Sequence, residues 1–430
     1  MIQKKPLHLS GDFQYVLDVL EKTNKSMFIT GRAGTGKSTL LQLFRNTTRK
    51  KTAVLAPTGV AALNVKGQTI HSFFKLPAKT LHRSDIKRLK YRKIYEKVEL
   101  IIIDEISMVR ADLLDNIDTF LRRNRDKDIP FGGVQMVFFG DLFQLPPVVA
   151  TLEEKMLFQT EYESPYFFSS HIFQEFEMDM VELSQIYRQD NRQFIRLLEA
   201  VRNNSMDYDD LEDLNERFEP DFIPEGYYIT LSARNATVNR INEQALAQLA
   251  DKEAYVYLGK VEGQFNSKLF PTEIVLTLKE GSQVMFVKND TDGKFVNGTI
   301  GKIVSLSEDD IKVEVDEGDK TTIIDVKKMD WEMQRYTLNE TDSNKLNAEV
   351  IGKFTQYPLK LAWAITIHKS QGKTFHKMII DLGKGAFEHG QTYVALSRCR
   401  TLDGIVLKQK LRPRDVMVDE RVIDFYARFF

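Results

Sequence analysis

Seven short apolar runs punctuate the chain: Met27–Thr30, Ala53–Ala56, Leu100–Ile103, Val134–Phe139, Tyr228–Leu231, Met378–Asp381 and Gly404–Leu407. Each is nearly continuous in Val, Ile, Leu, Phe or Met, the pattern of a strand covered on both faces. Helical stretches separate many of them. This alternation predicts α/β layers built on parallel sheets, with ligands at the carboxyl ends of the strands. Between about 251 and 355 the pattern changes. EIVLTLKEGSQVMFVKN, TIGKIVSLSE, IKVEVDEGDKTTIIDV and MQRYTL read as strands joined by turns at Asn297-Gly298 and Glu317-Gly318-Asp319. A small all-β module inserted into a second α/β domain is expected there, with α/β character resuming at Leu359–Ile367. No fixed-period repeat or low-complexity stretch appears.

Length and composition narrow the class. A chain of 430 residues, 42% hydrophobic and 28% charged, suits two to four compact domains. No apolar run approaches ~20 residues, so no membrane span is expected, and MIQKKPLHLS lacks a secretory signal's apolar core. The single cysteine, Cys399, excludes an internal disulfide and fits a reducing intracellular compartment: cytoplasm, or nucleoid in a bacterium. Net charge is −1, yet charge is unevenly placed. Residues 79–97 carry eight Lys or Arg against two acids, and residues 206–225 carry nine acids against Arg217. A basic face and two solvated helix surfaces explain this about equally well.

Residues 31–38, GRAGTGKS, match G-x-x-x-x-G-K-[ST], with the strand MFIT before and the helical run STLLQLFR after. In such a loop the glycines Gly34 and Gly36, with Thr35, let backbone N–H groups close around phosphates. Lys37 reaches the terminal phosphates, Ser38 ligates Mg²⁺, and Thr39 lies in the first helical turn. Ile101-Ile102-Ile103 ends in Asp104-Glu105. Sixty-seven residues after Lys37, this pair reads as a magnesium-holding Asp104 and a water-polarising Glu105, hence an ATPase. VQMVFFG runs into Asp141-Leu142-Phe143-Gln144, where Gln144 is a candidate γ-phosphate sensor. Arg188 in YRQ and Arg398 in ALSRCR are candidate arginines for the charge that spreads in phosphoryl transfer.

Taken in order, GRAGTGKST, APTGVAALNVKGQTIHSFF, IIIDEISM, PFGGVQMVFFGDLFQLPPV, LSQIYRQ, LSARNATVNRIN, LAWAITIHKSQGKTF and QTYVALSRCR resemble superfamily 1 helicases of the 5′-to-3′ branch, first the Pif family and next RecD-type helicases. The resemblance runs from about Leu9 to Leu407. It implies two RecA-like P-loop domains: residues 1–63 with 81–182, and 183–250 with 356–430, the latter including a C-terminal extension. It also implies a wedge insertion at 64–80 and an SH3-like β insertion at 251–355.

The same resemblance implies ATP with Mg²⁺, and Gly372 at the nucleotide. Pro57, Thr58, Gly59, His71, Ser72, Thr366, His368, Lys369 and Ser370 are implied on single-stranded DNA. It makes Gln144, Arg188 and Arg398 the sensor and the two arginine fingers. Phe73, with Phe74, either helps part the duplex or fills the core. Family members carry Gln where this chain has Phe13; stacking by Phe13 or a shifted contact from Gln14 then stands in, relaxing the preference for adenine. The implied partners are single-stranded DNA and single-strand/duplex junctions, with G-quadruplex and RNA–DNA hybrid activity, for a protein monomeric in solution. A RecD-type translocase subunit and an ATP-gated DNA-binding protein remain the alternative readings.

Overall fold

Ser10 accepts the backbone N–H of Phe13 and starts helix α1 (Gly11–Lys22), which turns Phe13, Val16 and Leu20 inward. The chain then enters β1 (Met27–Gly31), buried along its whole length. From here the computed structural model describes residues 10–77, 81, 83–290, 292–316, 321–338 and 346–430. After β1 come α2 (Lys37–Thr47), β2 (Thr52–Ala56), β3 (Gln68–Thr69), β4 (Leu100–Ile103), β5 (Gln135–Phe139) and β6 (Asp179–Leu183). All six strands pair in parallel in the order β3-β2-β4-β5-β1-β6.

Alternate residues divide the sheet's two faces. Ile29, Val54, Ile102, Val137 and Phe139 pack with Phe13, Leu20, Leu40 and Phe44 of α1 and α2. Phe28, Leu55, Ile101, Ile103 and Phe138 pack on the opposite face with Leu114, Ile117 and Phe120 of the helix Ala111–Arg125. Both faces being covered explains why the strands lack polar alternation.

The second parallel sheet orders Ala364–Thr366, Ile229–Ser232, Met378–Asp381 and Ile405–Leu407. The seven apolar runs all fall on strands of these two sheets. β6 escaped that pattern because DMVEL is an edge strand, mostly half-buried and interrupted by Asp179 and Glu182.

The segment between is antiparallel throughout. Five strands order as 321–326, 311–316, 300–306, 283–286 and 359–361; two smaller sheets join 329–338, 346–356 and 260–263, and 275–279 with 254–258. Tyr257, Leu278, Phe286, Val313 and Leu359 fill its own core. Leu359–Leu361 therefore closes this module, and the second motor sheet resumes only at Ala364. Gly298 has the positive φ of a turn residue at 104°, but the strands it joins end at Phe286 and restart at Ile300, a longer loop than a two-residue hairpin. The expected turn at Glu317-Gly318-Asp319 lies outside the described residues.

The expected wedge at 64–80 is also differently built. Gln68–Thr69 extends the first parallel sheet, pairing with Leu55 and Ala56. Ile70–Phe73 follows as one helical turn leading into the core. Residues 78–80 lie outside the described residues. At the other end of the chain, the helix Glu420–Phe429 leaves the second domain and returns to the first. Its Phe425 ring lies 4.7 Å from Phe168 and 6.1 Å from Phe28, centroid to centroid.

Candidate functional site

The order β4-β5-β1 sets three carboxyl ends side by side: Asp104-Glu105 after β4, Asp141 to Gln144 after β5, and residues 32–36 after β1. Gly34 and Gly36 have φ of 90° and 84°, a region that glycine enters without strain. Gly36 is the N-cap of α2 and provides no side-chain cap, so the first-turn N–H groups point outward from the loop as anion donors. Thr35 is buried, its hydroxyl donating to Arg32 O at 2.9 Å. Ser38 and Thr39 are exposed on that first turn. Lys37 Nζ folds back onto Gly31 O (2.5 Å) and Arg32 O (3.1 Å). Burial lowers its pKa, while Asp141 and Glu105 pull the other way.

Asp104 extends the sheet through its N–H to Leu55 O. Burial, and then the adjacent Glu105 charge, push its carboxyl up to about 7. Glu105 takes a left-handed backbone, φ 53° and ψ 46°, which costs a non-glycine residue on the order of 1 kcal/mol and aims its side chain off the strand axis. Its pKa is raised by burial and lowered by Lys37 and then Arg398. Gln144 is buried and donates its amide to Asp141 Oδ2 at 3.2 Å.

The second domain supplies the other wall. Tyr187 N donates to Gly34 O at 2.9 Å, laying the chain across the phosphate loop. A Cβ added at Gly34 would lie 2.6 Å from Arg188 Cβ. Arg188 Nη1 donates to Ser397 O, and its pKa falls to about 9 through burial and the neighbouring Arg398. Arg398 is 1% exposed, held by Val394 O and Ser397 Oγ. Burial lowers its pKa, opposed by Tyr393, Glu105 and Asp141. Two guanidinium groups and an ammonium thus converge within reach of one another's charge, a setting that suits a polyphosphate.

Sequence reading passed over three residues here. Asp141 is 1% exposed and receives Phe143 N–H, the Gln144 amide and, at 3.4 Å, the Tyr393 hydroxyl. Tyr393 also accepts Ala33 N–H at 2.9 Å, joining the second domain to the phosphate loop. Arg202 stacks over Phe143 (4.1 Å) and lies 3.6 Å from Asp141 and 3.3 Å from Glu182. The signal for Asp141 was present, since an acid at the end of an apolar strand repeats the pattern of Asp104. Nothing marks Arg202 among surface helix-end arginines.

The hard oxygen donors Ser38 and Asp104 fit Mg²⁺, which completes its shell from water and phosphate and needs few protein ligands. Among the described residues no cluster of three or more His, Cys, Asp or Glu forms a separate metal centre. Gln14 is not brought to this site: it is exposed and donates to Asp18 on the outer face of α1. Gly372 is exposed with φ 73°, just past the turn Ile367–Ser370.

The residues expected on DNA lie at three short helical segments. Thr58 is exposed and caps the helix Gly59–Asn64, with Pro57 half-buried before it. Gly59 allows a close approach: a Cβ there would lie 2.1 Å from Leu269 Cδ2 of the antiparallel module. Ser72 is exposed, and His71 is half-buried with its pKa lowered by burial and by Arg110. In the second domain Thr366 caps the turn Ile367–Ser370, Lys369 is exposed, and His368 Nε2 lies 3.1 Å from Glu388. Ser370 is fully buried and donates to Ile367 O, which makes it a local brace.

Phe73 requires correction as a DNA contact. It is 4% exposed and Phe74 is 0% exposed. Phe73 meets Phe74, Tyr95 and Tyr336 edge to face, and Tyr95 donates its hydroxyl to Phe73 O. Between parting a duplex and filling the core, these rings fill the core.

A model of the PIF1-like helicase family matches residues 9–211. An ATP-dependent DNA helicase Pif1 of Bdellovibrio bacteriovorus is 34% identical over 439 residues, covering 99% of this chain and 93% of that protein. An ATP-dependent DNA helicase PIF1 of Emericella nidulans is 33% identical over 485 residues, and the alignment spans 99% of this chain but 63% of that longer protein. Among solved structures, a double mutant of a Bacteroides Pif1 helicase superposes with a TM-score of 0.91 at 37% identity, covering 99% of this chain and 97% of that one. With the two parallel-sheet domains and the phosphate loop described above, these matches place the chain in the PIF1-like helicase family.

Proposed function

We propose that this chain is an ATP-driven DNA helicase that moves 5′ to 3′ on single-stranded DNA and parts the duplex ahead. One observation carries the reading: Lys37 and Glu105 of the first domain share a cleft with Arg188 and Arg398 of the second. Family membership supports DNA as the track, and the 5′-to-3′ polarity is proposed from the motif resemblance alone. Lys37 leaves its two loop carbonyls for the β and γ phosphates. Glu105 takes the proton of the attacking water, and Gln144 reports the γ phosphate. Ser38 and Asp104 would hold Mg²⁺, which would supply charge neutralisation at the phosphate oxygens. Arg188 and Arg398 stabilise the charge that spreads during transfer, a contribution on the order of 10³-fold or more in rate. Because those arginines belong to the other domain, each hydrolysis alters the grip between domains. Thr58 on one side and Lys369 on the other then hold backbone phosphates in turn, with an affinity that falls as salt rises. Activity on G-quadruplexes and RNA–DNA hybrids, and action as a monomer, are proposed on family membership alone.

Strand displacement with 5′-tailed and 3′-tailed duplexes tests the proposal. ATP-dependent opening of the 5′-tailed substrate alone is expected. Lys37→Ala should abolish hydrolysis and opening while DNA binding persists. Opening of the 3′-tailed substrate alone reverses the polarity. DNA-stimulated hydrolysis without displacement makes the chain a translocase.

A further inference from the structure

His368, expected on a DNA phosphate, and Arg398, expected on the nucleotide, are linked through the loop 387–390. His368 Nε2 lies 3.1 Å from Glu388 Oε2. The pair is not aligned as a hydrogen bond, and among the described residues that buried oxygen accepts from no other group. A buried carboxylate oxygen in this state is unfavourable, and a small movement of the imidazole into line with it relieves the cost.

Glu388 is tied forward to the helix Gln391–Leu396. Gln391 N–H donates to Glu388 O at 3.4 Å, and Phe387 N–H donates to Gln391 Oε1 at 3.2 Å. Every residue of that helix is buried, so a push at its start is passed along it. Its Val394 O and the following Ser397 Oγ hold the Arg398 guanidinium. The loop also reaches the first domain. Gly390, at φ 71°, passes so close to the proposed γ-phosphate sensor that a Cβ there would lie 2.4 Å from Gln144 O and 2.5 Å from Phe143 O. A displacement of Glu388 is therefore felt both at Arg398 and at the backbone of Gln144.

We infer that Glu388 is a positioning residue that couples DNA binding to hydrolysis: a strand phosphate on His368 brings the imidazole into line with Glu388, which fixes the loop 387–390 and with it Arg398 and Gln144. Glu388 acts through those residues rather than on either ligand. The inference rests on the proposed function, with His368 on the track. ATP hydrolysis by the purified chain tests it, measured without DNA and at saturating oligo-dT and read as the ratio of the two kcat values. Glu388→Ala should lower that ratio by roughly tenfold, the worth of about one hydrogen bond, with KM for ATP and Kd for DNA within about threefold of the parent's. Glu388→Gln keeps the shape and an acceptor but not the charge. It should lower the ratio by about threefold, and it carries the test should the alanine variant not fold. A folded variant with the parent's ratio overturns the inference. So does an equal fall of both rates, which makes Glu388 a brace of the fold alone. In a His368→Ala background, Glu388→Ala should change the ratio by less than about twofold, because the two residues act in series. A full tenfold fall in that background separates them and overturns the inference. A parent chain whose hydrolysis ignores DNA removes the reading beneath, whereas a stimulated parent leaves that reading intact whichever way the variants fall.

Discussion

Asp104 illustrates how a carboxylate buried at a candidate site can oppose folding. Burial and the Glu105 charge raise its pKa to about 7, against 3.8 for an ordinary aspartate. Between those values the folded chain binds the proton more tightly than the unfolded chain. The stability contributed by this group is therefore fully present below pH ~4 and is lost as pH rises through about 7. Asp104→Asn should raise the melting temperature of the nucleotide-free protein at pH 8 by several degrees, with the gain shrinking towards pH 5. It should also abolish hydrolysis. A melting curve unchanged at pH 8 would show that the site does not strain its carboxylate. At this scale the sequence announced Lys37, Asp104, Glu105, Arg188 and Arg398 because each sits in a motif whose chemistry dictates its residue type. It did not announce Tyr393, which lies in an apolar helix and acts through a hydroxyl that pattern cannot orient.

Among the elements, the turn Ile70–Phe73 shows where a role read from a motif gives way to packing. Phe74 is fully buried, 5.3 Å from Phe120 and 6.5 Å from Tyr95 between centroids. Phe74→Ala removes a core ring at a cost of about 3–5 kcal/mol. It should lower the denaturation midpoint while hydrolysis per folded molecule stays near that of the parent. A variant that melts normally yet fails to unwind would restore the wedge role. The buried strands were readable from sequence because both faces are covered, leaving long apolar runs. The short strand Gln68–Thr69 was not, since two polar residues carry no period, and only pairing with Leu55 and Ala56 makes them a strand.

For the whole molecule, the contacts that matter join separate domains. The Tyr393 hydroxyl, from the second domain, accepts Ala33 N–H and reaches Asp141, the carboxylate that holds Gln144. Removing it with Tyr393→Phe should lower kcat for ATP by roughly tenfold, the worth of about one hydrogen bond, with KM changed less. Equal kcat and KM in variant and parent would make the contact incidental. Tyr336 of the antiparallel module likewise accepts Val54 N–H of β2, and its own N–H reaches Gln68 Oε1. Sequence separations of 282 and 268 residues place such pairs beyond any local pattern.

The returning helix Glu420–Phe429 changes how the ends of the chain are to be understood. Tyr426 shares a hydrogen bond with Thr30 of β1, and Arg202 lies over both Tyr426 and Phe143. A fluorophore or affinity handle attached after Phe430 therefore rides on the first motor lobe, although the polypeptide just before it belongs to the second. A distance probe pairing that terminus with a label on α1 is expected to stay silent if the two domains move as proposed. A label on the exposed face of the second-domain helix Asn235–Ala247 is expected to give the moving signal.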